Sequence, residues 1–249
     1  MKKQIFITDT DFANTDSSFE YLLWFQPSLW GMVLSNNELV VLLDGRYFSK
    51  TKDIDTGDII AKIWSTDFTV RFVEVHDITQ SIIWELEQRD VLCFQNNIAL
   101  KYYDDIRNKF PQNEISFSDS YFGKKRQIKT QVEKNNIIEA IKIIDNVFLY
   151  IQSIINSWDI FWKTELQVRQ LVIQKIFDLG GEWESFETII AFGKNSAVPH
   201  HVSWNTRIEN GVLLIDMWAK YNWYCSDFTR TVWVGEKTSN LKNSGKCIL

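Results

Sequence analysis

Glycine is scarce in this chain, at 10 of 249 residues, where a globular protein typically carries about 7%. Tryptophan, normally far rarer, outnumbers it at 11. The three cysteines, Cys93, Cys225 and Cys247, stand far apart with no CxxC, so neither a disulfide framework nor a thiolate zinc site is indicated. Histidine is limited to His76, His200 and His201. No run approaches the ~20 apolar residues of a membrane span. The first twenty residues put acids and polar groups where a signal peptide needs an apolar core. No basic stripe is present, and a net charge of −5 argues against a nucleic-acid surface. These absences lead us to expect a soluble, cytoplasmic protein with no nucleic-acid and no membrane partner.

What is there is ample apolar material. A hydrophobic share of 45% over 249 residues suffices for one large or two ordinary domains. Residues 31–43, GMVLSNNELVVLL, predict two strands joined at Asn36-Asn37, whose side chains tolerate the left-handed conformation of tight turns. A helix is expected to open at Asp44-Gly45-Arg46, followed by a strand over 68–75, a helix over 79–89 and a short buried strand over 91–95. A helix from about 98 to 110 stops before Pro111, and 115–119 reads as a last strand. Strands alternating with helices indicate an α/β domain. The apolar periodicity lapses between Ser118 and Gly123, and the basic run Lys124-Lys125-Arg126 follows. Two domains are therefore expected, 1–123 and 124–249.

In the second, apolar residues recur at three and four from Ile137 to Ile155, which predicts a long amphipathic helix over 129–155. Another helix is expected over 164–179, with Thr164 as N-cap and Gly180-Gly181 as the stop. Residues 185–193 read as a strand. The stretch from Val212 to Val234, VLLIDMWAKYNWYCSDFTRTVWV, then reads as a β-hairpin with Asp216 on one arm and Asp227 on the other. If its turn is centred between Tyr221 and Asn222, the two acids are cross-strand partners. If Asn222 and residue 223 form a two-residue turn, the acids are diagonal but still share a face, because side chains alternate with period two. Like charges so placed repel and call for a cation, a shared proton or a wide solvent gap. Their neighbours Ile215, Met217, Cys225 and Phe228 are unusually apolar for a solvated rim.

At YLLWFQPSLWGMVL (21–34), LLDGRYF (42–48), KRQIKT (125–130), SFETIIAFGKNSAVPHH (185–201) and LLIDMWAKYNWYCSDFTRTVWVGE (213–236), the chain resembles the aminopeptidase P and prolidase family of metallopeptidases. The resemblance implies an α/β (α+β) fold, with a creatinase-like N-terminal α/β domain followed by the first half of a pita-bread catalytic domain. It implies hydrolysis of an N-terminal Xaa-Pro bond in peptides with proline at position two. Asp216 and Asp227 match family aspartates that bind two divalent metal ions, manganese first, with cobalt or zinc as alternatives. Such a centre activates water and polarises the scissile carbonyl. His200 matches a family histidine that lines the substrate site, a catalytic role. No other cofactor is implied, and a homo-oligomer is expected. Prolidase and creatinase share the architecture. A pita-bread homologue without catalysis, binding peptides or partner proteins, is the alternative from another class.

The chain departs from that family in two ways. Family members complete the metal site with a histidine and two glutamates well downstream of DFTRT, whereas 22 residues follow Asp227 here and Glu236 is the only acid among them. A truncated chain, inactive by itself, is the expectation. Trp24, Trp30, Trp162, Trp183, Trp218 and Trp223 fall where the family has glycine, and Trp204 is a further candidate. Asn222-Trp223 is a poor two-residue turn, whereas Asn-Gly is a preferred one. The scarcity of glycine and the excess of tryptophan have one explanation if UGA is decoded as glycine in the source and was rendered here as tryptophan.

Overall fold

The computed structural model describes residues 2–9, 18–25, 27–63, 68–118, 121–184 and 186–236. Asp119, Ser185, Cys247 and the tail from Leu241, all covered by the expectations above, lie outside them. The chain folds as two compact units, Met1–Ile128 and Lys129–Leu249.

In the first unit, β1 (Lys2–Asp9), β2 (Leu29–Leu34), β3 (Glu38–Leu43), β4 (Thr69–Glu74), β5 (Val91–Gln95) and β6 (Ile115–Ser118) form one sheet in the order β4-β3-β2-β1-β5-β6. β2 runs antiparallel to both β1 and β3, while the β3/β4, β1/β5 and β5/β6 pairs are parallel. The β2/β3 hairpin turns at Asn36-Asn37, as the sequence predicts, with the Ser35 N–H donating to the Glu38 carbonyl at 2.9 Å. The central strand β1 is missing from the sequence reading because Lys2, Lys3 and Asp9 flank it. Among its described side chains, Ile5, Phe6 and Ile7 are the fully buried ones. Alternation along these strands fills two cores: Phe6, Met32, Leu39 and Val41 on one side, Ile5, Ile7, Val33 and Val40 on the other.

Helices α1 (Ser18–Leu23), α2 (Gly45–Phe48), α3 (Thr56–Ile63), α4 (Ile78–Trp84), α5 (Leu100–Lys109) and α6 (Tyr121–Arg126) complete this unit. Asp44 caps α2, accepting from the Arg46 N–H. α4 stops at Trp84 rather than running to 89, because Leu86 turns back into the core and Arg89 adopts a left-handed φ of 81°. Within α6, Phe122 is buried and its ring lies 5.3 Å from that of Phe6. That packing joins α6 to the first unit, which runs to Ile128.

The second unit opens with α7 (Gln131–Asn156) and α8 (Glu165–Asp178), each started by a capping box, Thr130 with Glu133 and Thr164 with Gln167. Ile143, Val147 and Ile151 on α7, and Val168, Val172 and Ile176 on α8, repeat every four residues and share one core. After β7 (Trp183–Glu184) come β8 (Ile189–Phe192), β9 (Gly211–Met217), β10 (Ala219–Tyr221), β11 (Tyr224–Cys225) and β12 (Phe228–Val234). Ile190, Leu213, Ile215 and Met217 deliver the sheet's side of that core. The stretch expected to be one hairpin is divided between two sheets, β12-β9-β8 and β11-β10-β7. Trp218 and the link from Ser226 to Asp227 carry the chain from one to the other.

Candidate metal centre

Tyr221 pairs with Tyr224 across Asn222 and Trp223, so a two-residue turn sets the register. Asn222 and Trp223 both take positive φ, 44° and 69°, the signature of a type I′ turn. Of the two registers compatible with the sequence, this is the diagonal one. Asp216 faces Thr229 rather than Asp227, and Met217 faces Phe228.

Burial alternates along both arms. Ile215 and Met217 are buried while Asp216 between them is half-exposed; Ser226 and Phe228 are buried while Asp227 and Thr229 are exposed. The two carboxylates therefore share the open face of this antiparallel pair. The apolar neighbours noted in the sequence belong to the opposite, core-facing side: Ile215 and Met217 line the core and do not surround the acids. The Thr229 hydroxyl donates to Asp216 Oδ1 at 2.6 Å. Arg230, the nearest basic residue in sequence, points elsewhere, donating to the Thr229 carbonyl and stacking over Phe228. Among the described residues no three His, Cys, Asp or Glu side chains are grouped as a metal cluster.

His200 sits in the connection from β8 to β9, exposed and with a left-handed φ of 55°. Ser203, buried three residues later, ties that connection back to β8: its hydroxyl accepts from the Ile190 N–H at 2.8 Å and donates to the Ile190 carbonyl at 3.1 Å. Ile190 adjoins Ile189, the β8 partner of Asp216. His76 lies in the first unit, two residues after β4.

The residue that the sequence does not single out is Glu165, the first residue of α8, whose side chain is wholly buried. Its Oε1 accepts from the Phe192 N–H at 2.7 Å and Asn195 Nδ2 at 2.8 Å. Its Oε2 accepts from His201 Nε2 at 2.9 Å and the Trp204 N–H at 3.1 Å. One carboxylate thus gathers the end of β8, the 3-10 turn Gly193–Ala197 and both residues that bracket Val202 and Ser203. Burial raises the Glu165 pKa, but the hydrogen bonds from Asn195, Phe192, His201 and Trp204 outweigh it, holding the carboxyl below its ordinary value of 4.5. The only sequence hint is the position after an N-cap threonine, where acids favour the helix dipole.

With this geometry in hand, similarity to known proteins is decisive. Residues 135–246 match the model of metallopeptidase family M24. This part of the chain, just under half of it, is similar to M24 metallopeptidases. A Mycoplasma genitalium protein provisionally named an Xaa-Pro aminopeptidase is 28% identical over 237 residues, 94% of this chain and 62% of its own length. The Xaa-Pro dipeptidase of Pyrococcus furiosus is 30% identical over 181 residues, 72% of this chain and 49% of its own. Among solved structures, the X-Pro aminopeptidase of Thermotoga maritima superposes with a TM-score of 0.76 at 24% identity, covering 98% of this chain and 65% of that one. The prolidase of Pyrococcus furiosus does so with 0.76 at 22% identity, over 98% and 65%. The fold is thus the mixed α/β architecture of these pita-bread peptidases. The chain spans less than two thirds of the length of the relatives it matches. The matched region contains both aspartates, His200 and the Glu165 hub.

Because the folded pKa of Glu165 is depressed, its contribution to stability is complete above about pH 4.5 and disappears as pH falls through the lower folded value. Urea denaturation of the wild type and Glu165→Gln between pH 3 and 7 is expected to show a gap that is widest at neutral pH and narrows on acidification.

Proposed function

We propose that this chain supplies the first ligand pair and the histidine of an Xaa-Pro peptidase site, acting on peptides whose second residue is proline. The supporting observation is the pair Asp216 and Asp227 on one open face of an M24 domain, neither of them ion-paired among the described residues. Two uncompensated carboxylates this near in register favour a divalent cation over a shared surface rim. Manganese is the first candidate, with cobalt or zinc as alternatives, and a dinuclear centre would supply both nucleophile and electrophile for amide hydrolysis. Thr229 holds one oxygen of Asp216 and leaves the other for a cation.

His200 lies on the exposed turn beside this sheet, and an imidazole is the side chain best suited to hold or pass a proton near neutral pH. Its positive φ is the kind of local strain that concentrates at working sites. A prolyl substrate suits such a site because its amide carries no N–H and its φ is fixed, so recognition falls on the ring and the carbonyl. Two carboxylates alone leave a divalent ion largely hydrated, since these metals take about six ligands. Residues 1–249 by themselves therefore do not turn over substrate.

Manganese titrated into purified residues 1–249 is expected to bind weakly, no tighter than about 10⁻⁴ M, with binding lost in Asp216→Asn and Asp227→Asn and no hydrolysis of Xaa-Pro peptides. Robust turnover by this polypeptide contradicts the incomplete site. Affinity unchanged in both variants contradicts the aspartates as ligands and favours the non-catalytic, peptide-binding reading.

A further inference from the structure

We infer that Glu165 and His201 are positioning residues for His200, an assignment that rests on the peptidase reading above. A buried carboxylate that accepts four hydrogen bonds is fully used: none of its capacity is left for substrate or metal. All four donors belong to the segment from Phe192 to Trp204, which has His200 near its middle. Two of them, the Phe192 and Trp204 amides, are main-chain groups that cannot exchange donor for acceptor. The third, Asn195, also donates to Thr206 Oγ1 at 3.0 Å, extending the clamp along the same connection. His201 follows His200 directly, and a carboxylate partner requires its Nε2 to carry the proton. The ring of His201 is thereby fixed, and with it the backbone on the C-terminal side of the strained His200 peptide. Glutamine cannot replace Glu165: whichever way its amide is turned, the NH2 group meets a backbone N–H, at Phe192 or at Trp204.

Imidazole NMR on residues 1–249 tests this. The wild type is expected to show His201 as the Nε2–H tautomer, with manganese broadening the His200 ring. In Glu165→Gln, His201 shifts toward the Nδ1–H tautomer, the His200 resonances move and the broadening is lost. His201→Gln, whose amide can donate to Glu165, retains the wild-type His200 signals, whereas His201→Phe reproduces Glu165→Gln; this pair decides the matter if Glu165→Gln fails to fold. An unchanged His201 tautomer and His200 environment in Glu165→Gln, or equal His200 signals in the two His201 variants, overturn the assignment. Absence of broadening in the wild type overturns the metal reading instead, and the tautomer and the His201 pair still decide this one.

A different observation carries a second inference: we assign glycine to positions 24, 158, 162 and 223 of the protein as its source makes it. Seven non-glycine residues have positive φ among the described residues, and four are tryptophans: Trp24 at 62°, Trp158 at 66°, Trp162 at 66° and Trp223 at 69°. An aromatic side chain is among the least suited to that region. Three of the four, positions 24, 158 and 223, are sites where glycine has a specific task. Trp24 directly follows α1, and Trp158 follows Ser157, the C-cap of α7; Gly180, at 88°, holds the equivalent place after α8. Trp223 is the second residue of the type I′ turn, where Asn-Gly is preferred. Trp158 and Trp162 are 54% and 62% exposed, so their indoles are not core material. Trp233, by contrast, has an ordinary strand conformation and its Nε1 donates to the Glu236 carbonyl at 3.1 Å.

Trp158→Gly and Trp223→Gly are each expected to raise the Tm by about 2–4 °C, while Trp233→Gly lowers it. Peptide mass analysis of the protein from its own source is expected to find glycine at all four positions. Tryptophan found there, UGG codons there, or a fall in Tm for the first two variants overturns the inference.

Discussion

Everything at this site depends on the register of one strand pair. Tyr221 opposite Tyr224 fixes Asp216 opposite Thr229, and period-two alternation then sends Asp216 and Asp227 to the open face while Ile215, Met217 and Phe228 go to the core. A slip of one residue in either strand would reverse its pattern, burying a carboxylate and exposing a core side chain. Hydrophobic burial against α7 and α8 therefore specifies the acid pair as firmly as it specifies the sheet. The turn that sets this register needs two consecutive residues with positive φ, which links the tryptophan at 223 to the geometry of the acids.

The second constraint is electrostatic. The chain from β8 to β9 is long and largely exposed, yet it is held at Phe192, Asn195, His201 and Trp204 by one buried carboxylate, and at Ile190 by Ser203. In a low-dielectric setting such charge-assisted hydrogen bonds are strong, and their partners are expensive to leave unmatched. The helix that carries Glu165 is itself locked by its capping box and its apolar stripe. The exposed His200 is thus supported from a rigid element, with its neighbour as the intermediary.

Much of this was legible in the residues. The apolar repeats of α7 and α8, the Thr164 cap, the Asn36-Asn37 turn and the shared face of Asp216 and Asp227 all follow from local pattern, because period and capping are local physics. Strand β1 was not legible, since Lys2 and Lys3 hide a short apolar core that only its two neighbours in the sheet make central. The division of the hairpin between two sheets also depends on β7, two residues long, pairing with β10. Glu165 carries no local signature for the same reason: its partners lie at separations of 27 to 39 residues, and its role exists only once the chain has folded back. The surroundings of the acids do not follow from the sequence neighbours, because these lie on opposite faces of a strand.

The central claim is that Asp216 and Asp227 act together on one cation. Diffraction from crystals of residues 1–249 soaked in manganese, recorded at the manganese absorption edge, tests it most directly. The account predicts an anomalous peak within coordination distance of both carboxylates, on the face away from Ile215, with water filling the remaining positions. A peak bound elsewhere, or the two carboxylates turned apart around an empty face at saturating manganese, would contradict it.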